Sequence, residues 1–200
     1  MAPTRGFARP YWVALRYMIV ATIALGIIYP LAVLGVGQLA LPAQANGSLI
    51  TNADDTVTGS SLIGQSFTDA DGNALPEWFQ SRPSVAGYDA SASVGSNYGP
   101  ENPDFLDEIA ARKAAISELE GVDPADIPVD ALTTSASGLD PQISPEYALL
   151  QVPRVAEARG LEESQVHDLV ESFIQGRDLG YLGNETVNVL QLNLALAQLG

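Results

Sequence analysis

The pattern of apolar and polar positions divides the chain sharply. A charge-free, strongly apolar run extends from Tyr17 to Leu41, preceded by Arg5, Arg9 and Arg16 and followed by no basic residue until Arg82. As a helix, roughly 23 residues at about 1.5 Å each reach about 34 Å, enough to cross a hydrocarbon core of about 30 Å with some tilt. Backbone amides find no partners in lipid, so such a segment must be helical, and the basic flank belongs on the cytoplasmic face. The expected organisation is a basic cytoplasmic N-terminus over residues 1–16, a single transmembrane anchor over 17–41 and one extracytoplasmic domain over 42–200. Ala43-Gln44-Ala45 offers the small-x-small pattern of a signal-peptidase site, but signal peptides carry only about 7 to 15 apolar residues, so an uncleaved anchor is expected. Pro30 and the small residues Gly26, Gly35 and Gly37 suit a span that packs against other helices.

Beyond the anchor the periodicity shortens. Leu49-Ile50, Ser61-Leu62-Ile63 and Trp78-Phe79 read as short strands, separated by turns at Thr58-Gly59-Ser60 and Asp69 to Asn73. Asp69, Asp71 and Asn73 imitate the start of a calcium loop, yet Ala74 and Gln80 stand where that loop needs glycine and glutamate, so a turn is expected. Ser84 to Pro103 is rich in Gly, Ser, Asn and Pro and shows no periodicity, which marks a long loop of functional or disordered type. Asp104 to Glu120 has helical composition, with Phe105, Ile109 and Ile116 near one face, Arg112 and Lys113 on the wet side and Gly121 as the stop. Ser144-Pro145 starts a second helix, kinked at Pro153 and ending at Gly160. A third is expected from Leu161 to Gln175, stopped by Gly176, and a fourth over Val187 to Leu199, capped by Asn188. The fold class is therefore α+β: one N-terminal transmembrane helix followed by a small mixed α/β domain.

Charge narrows the partners. The chain carries a net charge of −15, and all 24 acidic residues lie at or after Asp54, against six basic ones there. Phosphate backbones need the opposite sign, so no nucleic acid is expected to bind the domain. With no cysteine, thiolate catalysis, disulfides and cysteine metal sites are excluded. The single lysine, Lys113, follows no glycine-rich loop, so the common phosphate-cradling motif is missing. His167 is the only histidine, and neither Gly-x-Ser-x-Gly nor Ser-x-x-Lys occurs, so a helix-surface histidine is expected rather than a catalytic one. No catalytic residue and no metal site is expected. The hydroxyl-rich stretch from Thr133 to Ser144 offers either an anion nest or a structural turn and cap, the latter favoured. From the residues alone, a membrane-anchored external enzyme or a ligand-binding module remains an alternative.

Several motifs together carry a resemblance: Gly64-Gln65-Ser66-Phe67, Gln80-Ser81-Arg82-Pro83-Ser84, Tyr88-Asp89, Gly95-Ser96-Asn97 with Gly99-Pro100, the block Thr133 to Pro145 reading TTSASGLDPQISP, Gln151 with Arg154, and Val187 to Leu196 reading VNVLQLNLAL. Over the whole chain the sequence resembles the C subunits of the Kdp-type potassium-transporting P-type ATPases. It departs from that pattern at Gln142, where histidine is common, and at Pro153, which interrupts the following helix. The resemblance implies a non-catalytic accessory subunit of a high-affinity, ATP-driven potassium uptake complex in the cell membrane. Its partners would be a channel-like potassium-binding subunit, an ATP-hydrolysing P-type subunit and a small hydrophobic subunit. ATP and potassium would be handled by those partners, with no cofactor bound directly by this chain. The phosphorylated Asp-Lys-Thr-Gly-Thr loop of the pump subunit is missing from this sequence. The resemblance further implies a role in assembly and a chaperone-like increase in the pump's ATP affinity, with Gln151 as the nucleotide contact. The basic flank places Gln151 on the side opposite cytoplasmic ATP, so any effect on ATP is expected to travel as coupling through the membrane subunits. Arg82, Tyr88, Asp89, Ser96 and Asn97 are the expected contacts to the potassium-binding subunit, because long polar loops carry recognition and Arg and Tyr anchor interfaces.

Overall fold

A computed structural model describes residues 8–51 and 56–199. Arg5, in the expected basic N-terminus, and Asp54, the first of the acidic residues, lie outside the described residues. The chain forms two units, residues 1–49 and 50–200.

The first unit is dominated by one continuous helical rod, Ala8–Ala40, 33 residues long and apolar enough to cross a membrane. It comprises α1 (Ala8–Ile23), a π-helical turn (Ala24–Ile28) and α2 (Tyr29–Ala40). The π turn has a local cause. Pro30 has no amide hydrogen and its ring would crowd the carbonyl of Gly26, so the ladder slips by one residue and the Tyr29 amide donates to Ala24. The helix begins earlier than the apolar run, so Arg9 and Arg16 ride on it rather than preceding it, and the Arg16 guanidinium lies 5.1 Å from the Trp12 ring centre. Aromatic and arginine side chains together at one end of an apolar helix match the composition of a membrane–water boundary. After Leu41, the short helix α3 (Pro42–Ala45) is stapled back to the rod by paired amides of Gln38 and Asn46 at 3.1 and 3.2 Å.

The second unit is mixed α/β. Its first sheet pairs β1 (Leu49–Thr51) with β2 (Val57–Ser60). Thr58-Gly59-Ser60 is thus strand rather than turn. At Gly59 the side chains of Gln65 and Leu190 close over the backbone, so that a Cβ would stand 2.6 Å from Gln65 Nε2 and 2.9 Å from Leu190 Cδ2 and would push both aside. Ser61-Leu62-Ile63 and Trp78-Phe79, expected as strands, are irregular backbone instead, held by side chains rather than by a ladder. Helix α4 (Pro103–Glu120) begins at Asn102, whose side chain accepts from the Asp104 amide at 2.9 Å, and ends at Gly121 with φ of 67°. A 3₁₀ turn (Pro124–Asp126) and α5 (Val129–Leu132) lead to β3 (Gln142–Ile143).

Helices α6 (Pro145–Leu150) and α7 (Val152–Arg159) are the two halves of the expected kinked helix, with Gln151 at the break and Gly160 in the left-handed conformation at the end. Helix α8 (Glu163–Phe173) stops two residues short of expectation because Ile174 turns to extended backbone, and Gly176 is not its cap. The next residues form β4 (Ile174–Gln175), which with β3 flanks β5 (Thr186–Asn188) in an antiparallel sheet of order β3-β5-β4. Asn188 then caps α9 (Val189–Leu196), its Oδ1 accepting from the Gln191 amide at 3.1 Å. The core gathers Ile143, Tyr147, Val155, Val166, Val170, Val187, Leu192 and Leu196, all buried, under Phe79 from the irregular segment.

Candidate functional site

The sequence motifs converge in the second unit, and what they build is a set of side-chain clamps on irregular backbone. Residues 61–102 contain no helix and only an isolated bridge between Thr68 and Ala74, so their peptide groups need partners from elsewhere. Two buried amides meet that need in the manner of a strand. Asn193 on α9 accepts from the Phe79 amide through Oδ1 and donates to the Phe79 carbonyl through Nδ2, both at 2.9 Å. Gln151, at the α6–α7 break, does the same for Gln80, accepting at 2.6 Å and donating at 3.3 Å. Gln80 in turn donates through Nε2 to the carbonyls of Phe67, Leu75 and Trp78.

Arg154 completes this clamp. Its Nε lies 3.0 Å from both oxygens of Glu120, its Nη2 donates to Gln151 Oε1 at 2.8 Å, and its Nη1 donates to the carbonyls of Trp78 and Pro76. The ion pair is nearly sealed, with side-chain exposures of 8% for Arg154 and 1% for Glu120. Desolvation holds the Glu120 carboxyl above its usual range, opposed by the Arg154 hydrogen bond. Arg159 continues the row, donating to the Glu77 carbonyl at 2.8 Å with its guanidinium 4.3 Å from the Trp78 ring centre.

A second cluster centres on Arg82. Its Nη1 donates to Asp140 Oδ2 at 3.1 Å and its Nη2 to the Thr133 carbonyl at 3.2 Å, while its own carbonyl accepts from the Tyr88 hydroxyl at 2.8 Å. Burial pushes the Tyr88 phenol up to about 12, so it stays a neutral donor. Around this pair the long loop is sewn to the Thr133 to Pro145 block: Ser84 Oγ donates to the Gly138 carbonyl, Ser93 Oγ and the Val94 amide reach the Ser137 carbonyl, and Ser96 Oγ meets Thr134 Oγ1 at 3.2 Å. Backbones lie so close that a Cβ on Gly95 would stand 2.7 Å from the Ala136 carbonyl oxygen, and one on Gly64 would stand 2.7 Å from that of Asp140.

In and beside the hydroxyl-rich block, Gly138 donates to Ser135 Oγ, Leu139 to Ser137 Oγ, Gln142 to Asp140 Oδ1, Ser144 to Asp130 Oδ2 and Tyr147 to Ser144 Oγ. Its hydroxyls thus serve a turn at Ser135 to Leu139 and a helix cap at Ser144. The Asp69 segment is likewise a turn, its carboxylate accepting from the amides of Asp71 and Asn73 and from the Asn73 side chain.

The chain matches the family model described as KdpC, K+-transporting ATPase, c chain, over residues 11–198. It belongs to this family. Among its relatives, the potassium-transporting ATPase KdpC subunit of Caulobacter vibrioides is 53% identical over 186 residues, covering 92% of this chain and 90% of that one. The KdpC subunit of Kineococcus radiotolerans is 51% identical over 184 residues, with 91% and 90% covered, and that of Herpetosiphon aurantiacus is 49% identical over 201 residues, with 98% and 97% covered.

Within this KdpC fold the expected site residues fall into distinct settings. Gln151 is 0% exposed, with both amide hydrogens and both lone-pair directions matched by protein partners, the fourth being the Tyr147 carbonyl at 3.3 Å. Arg82, Tyr88 and Ser96 are half-buried and tie the loop down, whereas Asp89 and Asn97 face solvent. Asn97 holds a left-handed φ of 55°. Arg112, expected on the wet side of α4, is half-buried instead, donating to the Leu132 carbonyl at 3.0 Å and to Glu108 at 2.6 Å. His167 is exposed on α8 as expected, near Asp168 and Glu171, and these form the one potential metal-binding group among the described residues. Gln80 and Asn193 stood in the sequence only as members of longer motifs; their clamping role was missed, because their partners lie 71 and 114 residues away.

Proposed function

We propose that the chain is a non-catalytic accessory subunit of a high-affinity, ATP-driven potassium uptake complex. In this reading residues 1–16 are cytoplasmic, residues 17–41 anchor the chain by a single pass in the cell membrane, and residues 42–200 form a domain outside it. The observation that carries the reading is the KdpC match over almost the full length of the chain. The apolar rod with arginines at its N-terminal end and all the acidic residues beyond it supports the orientation.

Potassium and ATP would be handled by a channel-like subunit and a P-type subunit, accompanied by a small hydrophobic subunit. This chain would favour assembly and raise the ATP affinity of the pump by coupling through the membrane subunits, since Gln151 is closed off from any external ligand by its own unit. The outward residues Asp89 and Asn97, shaped from beneath by Arg82, Tyr88 and Ser96, would meet the potassium-binding subunit. The test is recovery of the pump subunits with the tagged chain after mild detergent extraction. Recovery is expected with the native chain and should fall in Asp89→Lys, which leaves the clamps untouched. Failure of the native chain to bring down any pump subunit would overturn the reading. Full recovery with Asp89→Lys would remove this loop from the interface.

A further inference from the structure

The π-helical turn in the apolar rod leaves a backbone group unserved. The Leu25 carbonyl would ordinarily accept from the Tyr29 amide, but that amide is spent on Ala24. The wider π spacing would draw on residue 30, which is proline and has no amide hydrogen. The Gly26 carbonyl loses its ordinary donor to the same proline and has only the Leu31 amide, one residue further on, to draw on. Thr22 carries the only serine or threonine hydroxyl between Tyr17 and Leu41, and a helical threonine turns its hydroxyl back toward the carbonyls of residues 18 and 19. The rod thus offers Leu25 no donor from its ladder and none from a short side chain.

Depth makes this costly. Leu25 lies about 12 Å along the rod from Tyr17, where the apolar run begins, so in a membrane it stands in hydrocarbon. Lipid tails hold no donor, and a backbone carbonyl left bare there is strongly penalised. A second, independent observation is the room beside it. Among the described residues, a Cβ on Gly26 would meet only the Thr22 methyl, at 3.9 Å, so another helix can come close to the backbone at this level.

From these features we propose that the π turn is the polar contact point of the rod in the membrane. Its occupant is a transmembrane helix of a pump subunit, which approaches over Gly26 and donates a neutral side-chain hydroxyl or amide hydrogen to the Leu25 carbonyl. A charged donor would cost more to bury at that depth. A second copy of this chain suits the site less. It would bring the same rod, whose one short hydroxyl is that of Thr22, together with a unit of 24 acidic and six basic residues that repels its like. The proposal rests on the reading above that the chain is a subunit of a membrane pump.

The test follows the carbonyl itself. The full chain is labelled with carbonyl-13C leucine and 15N glycine, which isolates its Leu-Gly peptide groups, and is studied by solid-state NMR in lipid bilayers. The Leu25–Gly26 signal is the one lost in Gly26→Ala. Its carbonyl resonance should move downfield, as on accepting a hydrogen bond, when the labelled chain is assembled with unlabelled pump subunits. Pro30→Ala restores the missing amide and lets the ladder close. In competition with an equal amount of the native chain, this variant should enter the pump about ten-fold less, the scale of one interhelical hydrogen bond. An unmoved Leu25 carbonyl in a pump that the native chain does join would overturn this proposal alone, as would an equal share for Pro30→Ala. A downfield position already present in the chain alone, and lost on dilution with lipid, would assign the site to a second copy and overturn it too. Failure of the native chain to join any pump subunit would overturn the accessory-subunit reading and this proposal with it.

Discussion

Gln151 shows how one side chain can do the work of a strand. Its amide pairs with both peptide groups of Gln80 and also engages Tyr147 and Arg154, so nothing of it is left for a ligand. Replacing it with the similarly sized leucine would strand the Gln80 peptide and one Arg154 donor in a buried place. At about 1–3 kcal/mol for each unsatisfied group, Gln151→Leu is expected to lower the unfolding free energy by about 3 kcal/mol, measured by urea unfolding of the full chain. If Gln151 instead served a nucleotide, the variant would keep its stability and raise the ATP requirement of the assembled pump. None of this pairing was legible in the sequence, because the partner lies 71 residues away and a lone glutamine has no local signature. Arg112 was misplaced for the same reason: its acceptor, the Leu132 carbonyl, is 20 residues downstream and invisible to helical periodicity.

At the scale of the element, local chemistry was far more readable. Gly121, Gly160, Ser144 and Asn188 all act as the caps their positions suggest, since a cap depends on neighbours within a few residues. Short strands were not readable. A two-residue strand such as β4 offers no alternation, and only pairing with Val187 and Thr186 makes it one. The start of α6 is reinforced beyond a simple cap, because Ser144 Oγ also donates to Asp130 Oδ1 at 2.8 Å and the Ser144 amide to Asp130 Oδ2 at 2.7 Å. Ser144→Ala is therefore expected to cost about 1–2 kcal/mol by thermal unfolding. Asp130→Ala should cost a comparable amount, and the double variant less than the sum, since both act on one network.

The Asp69 turn gives a pH signature. Hydrogen bonds from the Asn73 side chain and from backbone amides lower the Asp69 pKa below its ordinary value. A carboxylate with a lowered folded-state pKa contributes stability above its unfolded pKa, and this is lost as pH falls through the folded value. Protection of the Asn73 amide from hydrogen exchange should therefore persist through the ordinary aspartate range and fade only at lower pH. Loss of protection at or above that range would contradict the turn described here.

At the scale of the whole molecule, the division into an apolar rod and an acidic mixed α/β unit was legible from the start, because it rests on composition over dozens of residues rather than on any single contact. The KdpC match runs over residues 11–198 and so takes in both units. The account's central claim is that the second unit works outside the membrane, away from cytoplasmic ATP. The absence of native cysteine makes a direct test available. Ala114→Cys places a thiol on the exposed face of α4, and Ala8→Cys places one at the basic end of the rod. With the chain in its assembled complex in intact cells stripped of any outer barrier, a membrane-impermeant maleimide should label Cys introduced at position 114 at once and at position 8 only after the membrane is permeabilised. The reverse pattern, with position 114 protected until permeabilisation and position 8 labelled in intact cells, would contradict the account.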